Sequence, residues 1–301
     1  MYKDFMPFIA IPKKRCYNYL RVELMIRYEG SIVMDEFYTE LVSFCDRYLW
    51  CIEQVYIAVK SKLQNYSQTV SISSIPEAES KTADEIFEIL RKNGTLNEFY
   101  KQNLFCRLLS DFLMYMQESI SNVKRLNPQV ALTLARKPLI DDIYYLQHLL
   151  VNSDNAIALV FSDKAEEKDW ARVKDEAISE QAFRQLGYPG KRNIFFEMRC
   201  GDGDISLLTF CNKASHIVTS RGSKQNHSIS GELNFVFIKD EEILNYTQYY
   251  CKTIPWILSY VTRIICKIHE NLVKAPSFDD LLDSLDEKLA IAFKRTPGGN
   301  E

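Results

Sequence analysis

Residues 35–65 read DEFYTELVSFCDRYLWCIEQVYIAVKSKLQN, with no glycine and no proline. Phe37, Leu41, Phe44, Tyr48, Ile52, Val55, Val59 and Leu63 recur at steps of three and four. That is one face of a helix with 3.6 residues per turn. The stripe predicts a helix from Asp35 to about Asn65. A helix with one long apolar face cannot bury it alone, so the rest of the chain must supply partners of the same kind.

The following sequence supplies them. Ser67 to Ser80 is Ser-rich, contains Pro76, and reads as an exposed linker. Thr82 with Glu85 forms a capping box for a helix to Lys92, ended by Gly94. Thr95 with Glu98 forms a second, opening a helix to about Val123 with Phe105, Leu108, Leu109, Phe112, Met116 and Ile120 inward. Asn127 before Pro128 starts a helix to about Leu150, kinked or restarted near Pro138. Ser153–Phe161 and Lys164–Leu186 read as a short helix and an exposed one. Asp240 caps a helix from Glu241 to Lys274, bent or restarted at Pro255. Ser277 with Asp280 opens the last helix, with Phe278, Leu281, Leu282, Leu285 and Leu289 inward.

Six of the ten glycines fall between Gly187 and Gly231, which marks an irregular segment between helical blocks. Within it, Ile205 to Thr219 reads as a helix with Asp204 as its N-cap. Glu232–Ile238, ELNFVFI, reads as a strand. The predicted fold is mainly α, a multi-helix antiparallel bundle with a small irregular or β insertion around residues 188–240. Residues 1–66 form an N-terminal helical segment, 67–81 a linker and 82–301 the main bundle, together one compact unit.

Composition narrows the function. The 301 residues are 47% hydrophobic and 26% charged, with a net charge of −3, so the whole chain is not a polybasic nucleic-acid binder. The eight cysteines form no CxxC pair, which argues for reduced, buried thiols in a cytoplasmic protein and against zinc. Lys13, Lys14 and Arg15 follow the apolar run Phe5–Ile11, the wrong order for a secretory leader. Arg263 and Lys267 interrupt Ile254–Ile268, so no membrane contact is expected. No phosphate-binding glycine loop, HExxH or GxSxG occurs. No cofactor and no metal is expected, and Asp202 and Asp204 are read as a turn residue and an N-cap.

Charge is uneven. Residues 188–230 carry six cations, Lys191, Arg192, Arg199, Lys213, Arg221 and Lys224, against Glu197, Asp202 and Asp204. The local charge of +3 leaves −6 on the rest. A basic, glycine-rich segment on an acidic body is an anion-binding surface, with Lys191, Arg192, Arg199, Lys213 and Lys224 as candidate ligand-binding residues. His216 and His227 lie in the same segment and titrate near neutrality.

Arg221-GSKQN-His227 resembles the R-x4-6-H motif of HEPN-domain ribonucleases, and Arg263-IICKI-His269 has the same spacing. The second pair, six residues apart in an apolar helix, falls on different faces and is read as structural. The string Ala135-Arg136-Lys137-Pro138-Leu139-Ile140-Asp141-Asp142 is similar to the arginine-then-acid step of HEPN-like helical proteins in bacterial toxin and phage-defence systems. Lys213-Ala214-Ser215-His216 is similar to their Ser-His step. The resemblance implies a dimerising helical bundle in which Arg136, Asp142 and His216 share a cleft. It leaves two readings. One is a non-enzymatic sensor or accessory module that binds RNA, a nucleotide or a protein partner. The other is a metal-independent endoribonuclease, with His216 or His227 moving a proton and Arg136 or Arg221 holding phosphate.

Overall fold

The computed structural model describes residues 25–28, 31–66, 80–92, 96–161, 175–188, 193–201, 206–215 and 240–295. The chain is mainly α. Two short strands come first, β1 (Met25–Tyr28) and β2 (Ser31–Met34), paired antiparallel with Met25 opposite Met34 and Tyr28 opposite Ser31. The helices follow: α1 (Glu36–Tyr66), α2 (Ala83–Lys92), α3 (Asn97–Lys124) and α4 (Pro128–Arg136). A π-helical segment, Lys137–Asp142, leads straight into α5 (Ile143–Val151). Then come α6 (Ser153–Phe161), α7 (Glu176–Gln185), α8 (Ile194–Cys200), α9 (Leu207–Ser215), α10 (Asp240–Val273) and α11 (Asp279–Lys294).

α1 is central to the bundle, with α10 and α3 as its main neighbours. Its stripe behaves as the periodicity requires: Leu41, Phe44, Tyr48, Ile52, Val55 and Val59 are buried, and Phe37 and Leu63 lie at the margin. Phe105, Leu109, Phe112, Met116 and Ile120 of α3 enter the same core. α1 therefore belongs to the principal core together with α3, α5 and α10.

Local signals decide several helix ends. Thr82 and Glu85 form the reciprocal cap: the Thr82 amide donates to Glu85 Oε2 at 2.8 Å, and the Glu85 amide donates to Thr82 Oγ1 at 3.3 Å. Thr95 lies outside the described residues. Asn127 stands at the N-cap of α4 before Pro128, but its side chain caps no amide and instead donates to Asn122 Oδ1 at 3.3 Å. α10 runs through Pro255 as one helix. Leu281, expected inward, is 40% exposed, whereas Leu282, Leu285 and Leu289 are buried. α11 offers only one narrow face to its neighbours, and Leu281 falls outside it.

Two helices are described between residues 188 and 240. Helix α8 forms where no helix was expected, started by the Asn193 side chain, which accepts from the Phe196 amide at 3.1 Å. α9 starts at Leu207, with the Ser206 hydroxyl accepting from the Thr209 amide at 3.4 Å. The expected cap Asp204 and the expected strand 232–238 lie outside the described residues. All seven cysteines among the described residues are free thiols, six of them buried. No described helix is long and apolar enough to cross a membrane.

One buried polar node joins three helices. The Ser119 hydroxyl of α3 donates to Ala131 O of α4 at 2.7 Å and lies 2.7 Å from the Tyr250 hydroxyl of α10. Ser119→Ala leaves a buried carbonyl and a buried hydroxyl short of a partner. The expected loss is about 1–3 kcal/mol in urea denaturation. An unchanged midpoint would show that neither group depends on Ser119.

Candidate functional site around the π-helical segment

Pro138 explains the local geometry. It has no N–H to donate and its ring crowds the carbonyl one turn earlier, so a regular α-helix cannot pass through this point undisturbed. Here the helix widens to a π-helical segment over Lys137–Asp142 and continues as α5. Such segments are rare, and they gather at functional sites.

Asp142 ends the segment. It is buried, 4% exposed, and its Oδ2 has no hydrogen-bond partner. Burial pushes its carboxyl up to about 7. Lys137 opposes the rise, and Asp111 and Asp141 add to it. Lys137 itself is ion-paired with Asp111 of α3, and its ammonium lies over the Tyr115 ring, 4.9 Å from the centroid. A carboxyl that exchanges its proton near neutrality, beside a fixed cation, can accept or deliver a proton under physiological conditions.

Arg199, expected among surface ligands, is instead one of the most deeply buried side chains, 1% exposed. Its Nε donates to Leu139 O in the π-helical segment at 2.9 Å. It braces the widened helix from α8 and is not presented to solvent. A polar cluster lies beside it. The Ser179 hydroxyl donates to Gln147 Oε1 at 3.0 Å, Gln147 Nε2 donates to the Tyr260 hydroxyl at 3.3 Å, and Asn193 Nδ2 donates to Ser179 O at 2.9 Å and to the Tyr260 hydroxyl at 3.3 Å. Phe195 stacks on Tyr260, with centroids 4.6 Å apart.

Arg136 begins the segment and acts on a different neighbour. Burial pushes the Cys211 thiol of α9 up, and Arg136 pulls it down. At the other end of α4, Gln129 Nε2 donates to Ala214 O at 3.1 Å. α9 therefore runs from the Arg136 end of α4 towards Gln129. The nine residues of α4 span about 13 Å. The described part of α9 thus heads away from Arg136 as it approaches position 216. Arg136 and Asp142 share one helical stretch but answer to different surroundings, α9 for the first and Asp111 of α3 for the second.

The remaining candidates, Lys191, Arg192, His216, Arg221, Lys224 and His227, lie outside the described residues. Lys213 is in α9. The second motif match has a structural explanation. Arg263 bonds Asp283 at 2.7 Å and Asp286 at 2.6 Å, while His269 is buried, with its ring tilted against Phe278. Among the described residues no group of three or more His, Cys, Asp or Glu could hold a metal ion.

Two site features escaped the sequence reading, the neutral-range carboxyl of Asp142 and the brace from Arg199. Pro138 within a helical pattern was the available signal for the first. Nothing local signals the second, because Arg199 and Leu139 are sixty residues apart. Comparison of the chain with protein families, with curated proteins and with solved structures finds no match.

Proposed function

We propose that this protein is a non-enzymatic binding module, a sensor or accessory component of a bacterial stress or phage-defence type system acting in the cytoplasm. It takes RNA through the basic segment 188–230. A nucleotide, a partner protein or a second copy of the chain are the other occupants that the resemblance to HEPN-like proteins allows. One observation carries the reading: apart from the buried Arg199, residues 188–230 carry five cations against three acids, a charge of +2 on an otherwise acidic chain, and the described helices of that stretch are α8 and α9. Phe195, Phe196, Cys200, Leu207, Cys211 and Ala214 tie those helices into the core. A cationic surface on a fixed base attracts polyanions without needing a reacting group.

The test is fluorescence anisotropy of a labelled single-stranded RNA in EDTA. The wild type is compared with Lys191→Glu/Arg192→Glu and with Arg221→Glu/Lys224→Glu. The expected result is binding that weakens with salt and falls about tenfold or more in each double variant, with the RNA left intact. Equal affinity across the three proteins would remove the reading.

One observation favours the ribonuclease alternative. Asp142 changes protonation near neutrality and is in the same helical stretch as Arg136. RNA cleavage in EDTA that disappears in His216→Ala, His227→Ala or Asp142→Asn would select it.

A further inference from the structure

Arg199 of α8 has more donors than its surroundings use. Its Nε donates to Leu139 O at 2.9 Å, but its Nη1 is buried and has no hydrogen-bond partner. The side chain is 1% exposed and makes no ion pair among the described residues. A guanidinium keeps its charge at any pH at which the chain is folded. Burying such a charge is costly unless a counter-charge and further hydrogen bonds satisfy it. Leu139 O supplies one bond and no charge.

A second buried donor stands close by. α8 packs against α10, and Tyr260 of α10 is fully buried. Burial raises its phenol, while Gln147, Asn193 and Arg199 pull it back, so the guanidinium is near enough to act on the hydroxyl. That hydroxyl accepts from Gln147 Nε2 and from Asn193 Nδ2, each at 3.3 Å. The two amide groups are held in this sense by other partners. The Phe196 amide donates to Asn193 Oδ1, and the Ser179 hydroxyl donates to Gln147 Oε1. Two donors therefore point at the Tyr260 oxygen, and its own proton is left to donate. Among the described residues no acceptor takes that proton. Glu180, the acid that bears on Tyr260, accepts the Asn193 backbone amide at 2.6 Å.

Two buried donors without an acceptor, one of them fully charged, are the complement of an anion. The planar guanidinium matches the oxygens of a phosphate or a carboxylate better than a point cation does. Enclosure of both side chains limits the anion to a small one. We infer that Arg199 and Tyr260 bind a small oxyanion, a phosphate or a short carboxylate, between α8, α10 and the π-helical segment. The inference does not rest on the RNA reading, which uses the other cations of residues 188–230.

The anion reaches Arg199 only when the chain opens locally, so stability is the proper readout. The experiment is urea denaturation of the full chain at fixed ionic strength, with millimolar phosphate, acetate or chloride. An anion that binds only the folded state raises the wild-type midpoint by an equal step for each tenfold increase in its concentration above Kd. The expected result is that rise with phosphate, with acetate or with both, and little with chloride. A rise with phosphate alone identifies a phosphate site, and one with acetate alone a carboxylate site. Arg199→Met loses the rise. Tyr260→Phe keeps the ring that stacks on Phe195 and weakens the rise by losing one donor. A wild-type midpoint that ignores phosphate and acetate overturns the inference, and that comparison needs no variant to fold. A chloride effect as large as the oxyanion effects overturns it too, as does an equal rise in folded Arg199→Met. None of these failures touches RNA binding, which is measured separately.

Discussion

Asp286→Ala lowers the stability of the folded chain by about 3–5 kcal/mol, the usual consequence of removing one partner from a buried ion pair. Asp286 gathers three side chains from two other helices. Tyr48 of α1 donates to its Oδ1 at 2.5 Å and Ser259 of α10 donates to the same oxygen at 2.6 Å. Arg263 of α10 donates to Oδ2 through Nε at 3.0 Å and through a terminal nitrogen at 2.6 Å. Alanine leaves the Arg263 guanidinium buried, with only the more exposed Asp283 as a counter-charge. It also strands two hydroxyls. Urea denaturation at pH 7 reads the effect.

Asp283→Ala, which removes a half-exposed carboxylate, costs about 1 kcal/mol or less. The double variant Arg263→Met/Asp286→Leu recovers the part of the loss that is due to the unpaired guanidinium, because the charge and its counter-charge leave together, while the Tyr48 and Ser259 hydroxyls still lack their acceptor. Asp286→Ala within 1 kcal/mol of wild type would mean that this junction does not hold α11 to the bundle.

Asp142→Asn has the opposite sign. The Asp142 carboxyl is raised from its ordinary value near 3.8 to about 7 in the folded chain, with burial as the main cause. Between roughly pH 4 and 7 the folded state keeps a proton that the unfolded state has released. The contribution to stability is therefore full at low pH and is lost as pH rises through 7. Above that, the folded chain carries a buried charge with an unpartnered oxygen. A rise of about three units corresponds to about 4 kcal/mol at most.

Asparagine has nearly the same shape and no charge to bury. The variant is expected to exceed wild type by about 2–4 kcal/mol at pH 8 and to match it near pH 4, as read by urea midpoints at both pH values. A difference that does not change between them would show that Asp142 titrates normally. If the variant is more stable and also loses a function, then the buried carboxyl is kept for chemistry at the expense of stability.

The two variants bear on the two arginine-containing strings in different ways. Arg263 has the spacing of a ribonuclease motif to His269, yet its hydrogen bonds run to Asp283 and Asp286, and His269 packs against Phe278. Arg136 and Asp142 stand in the string that resembles an arginine-then-acid step, and here the Asp142 carboxyl is buried, raised and short of a hydrogen-bond partner at Oδ2. Helical spacing already marked the Arg263 pair as structural, and its hydrogen bonds agree. What distinguishes them is the partner each charge finds across the bundle.

The helical class, the inward stripes of α1 and α3 and the capping box of α2 were legible in the residues, because each depends on groups three or four positions apart. The uneven charge of residues 188–230 is likewise a property of sequence alone. Helix α8 was missed although the Asn193 cap that starts it is local. The burial of Arg199 and the outward turn of Leu281 were not legible, because the π-helical segment that receives Arg199 is sixty residues away and the neighbours of α11 cover too narrow a face of it to bury Leu281. Asp142 belongs with this second group. Pro138 marks a disturbed helix, but it is the surrounding core that raises the carboxyl, with Asp111 and Asp141 adding to the rise and Lys137 opposing it, since burial and the approach of other charges arise only when the bundle closes.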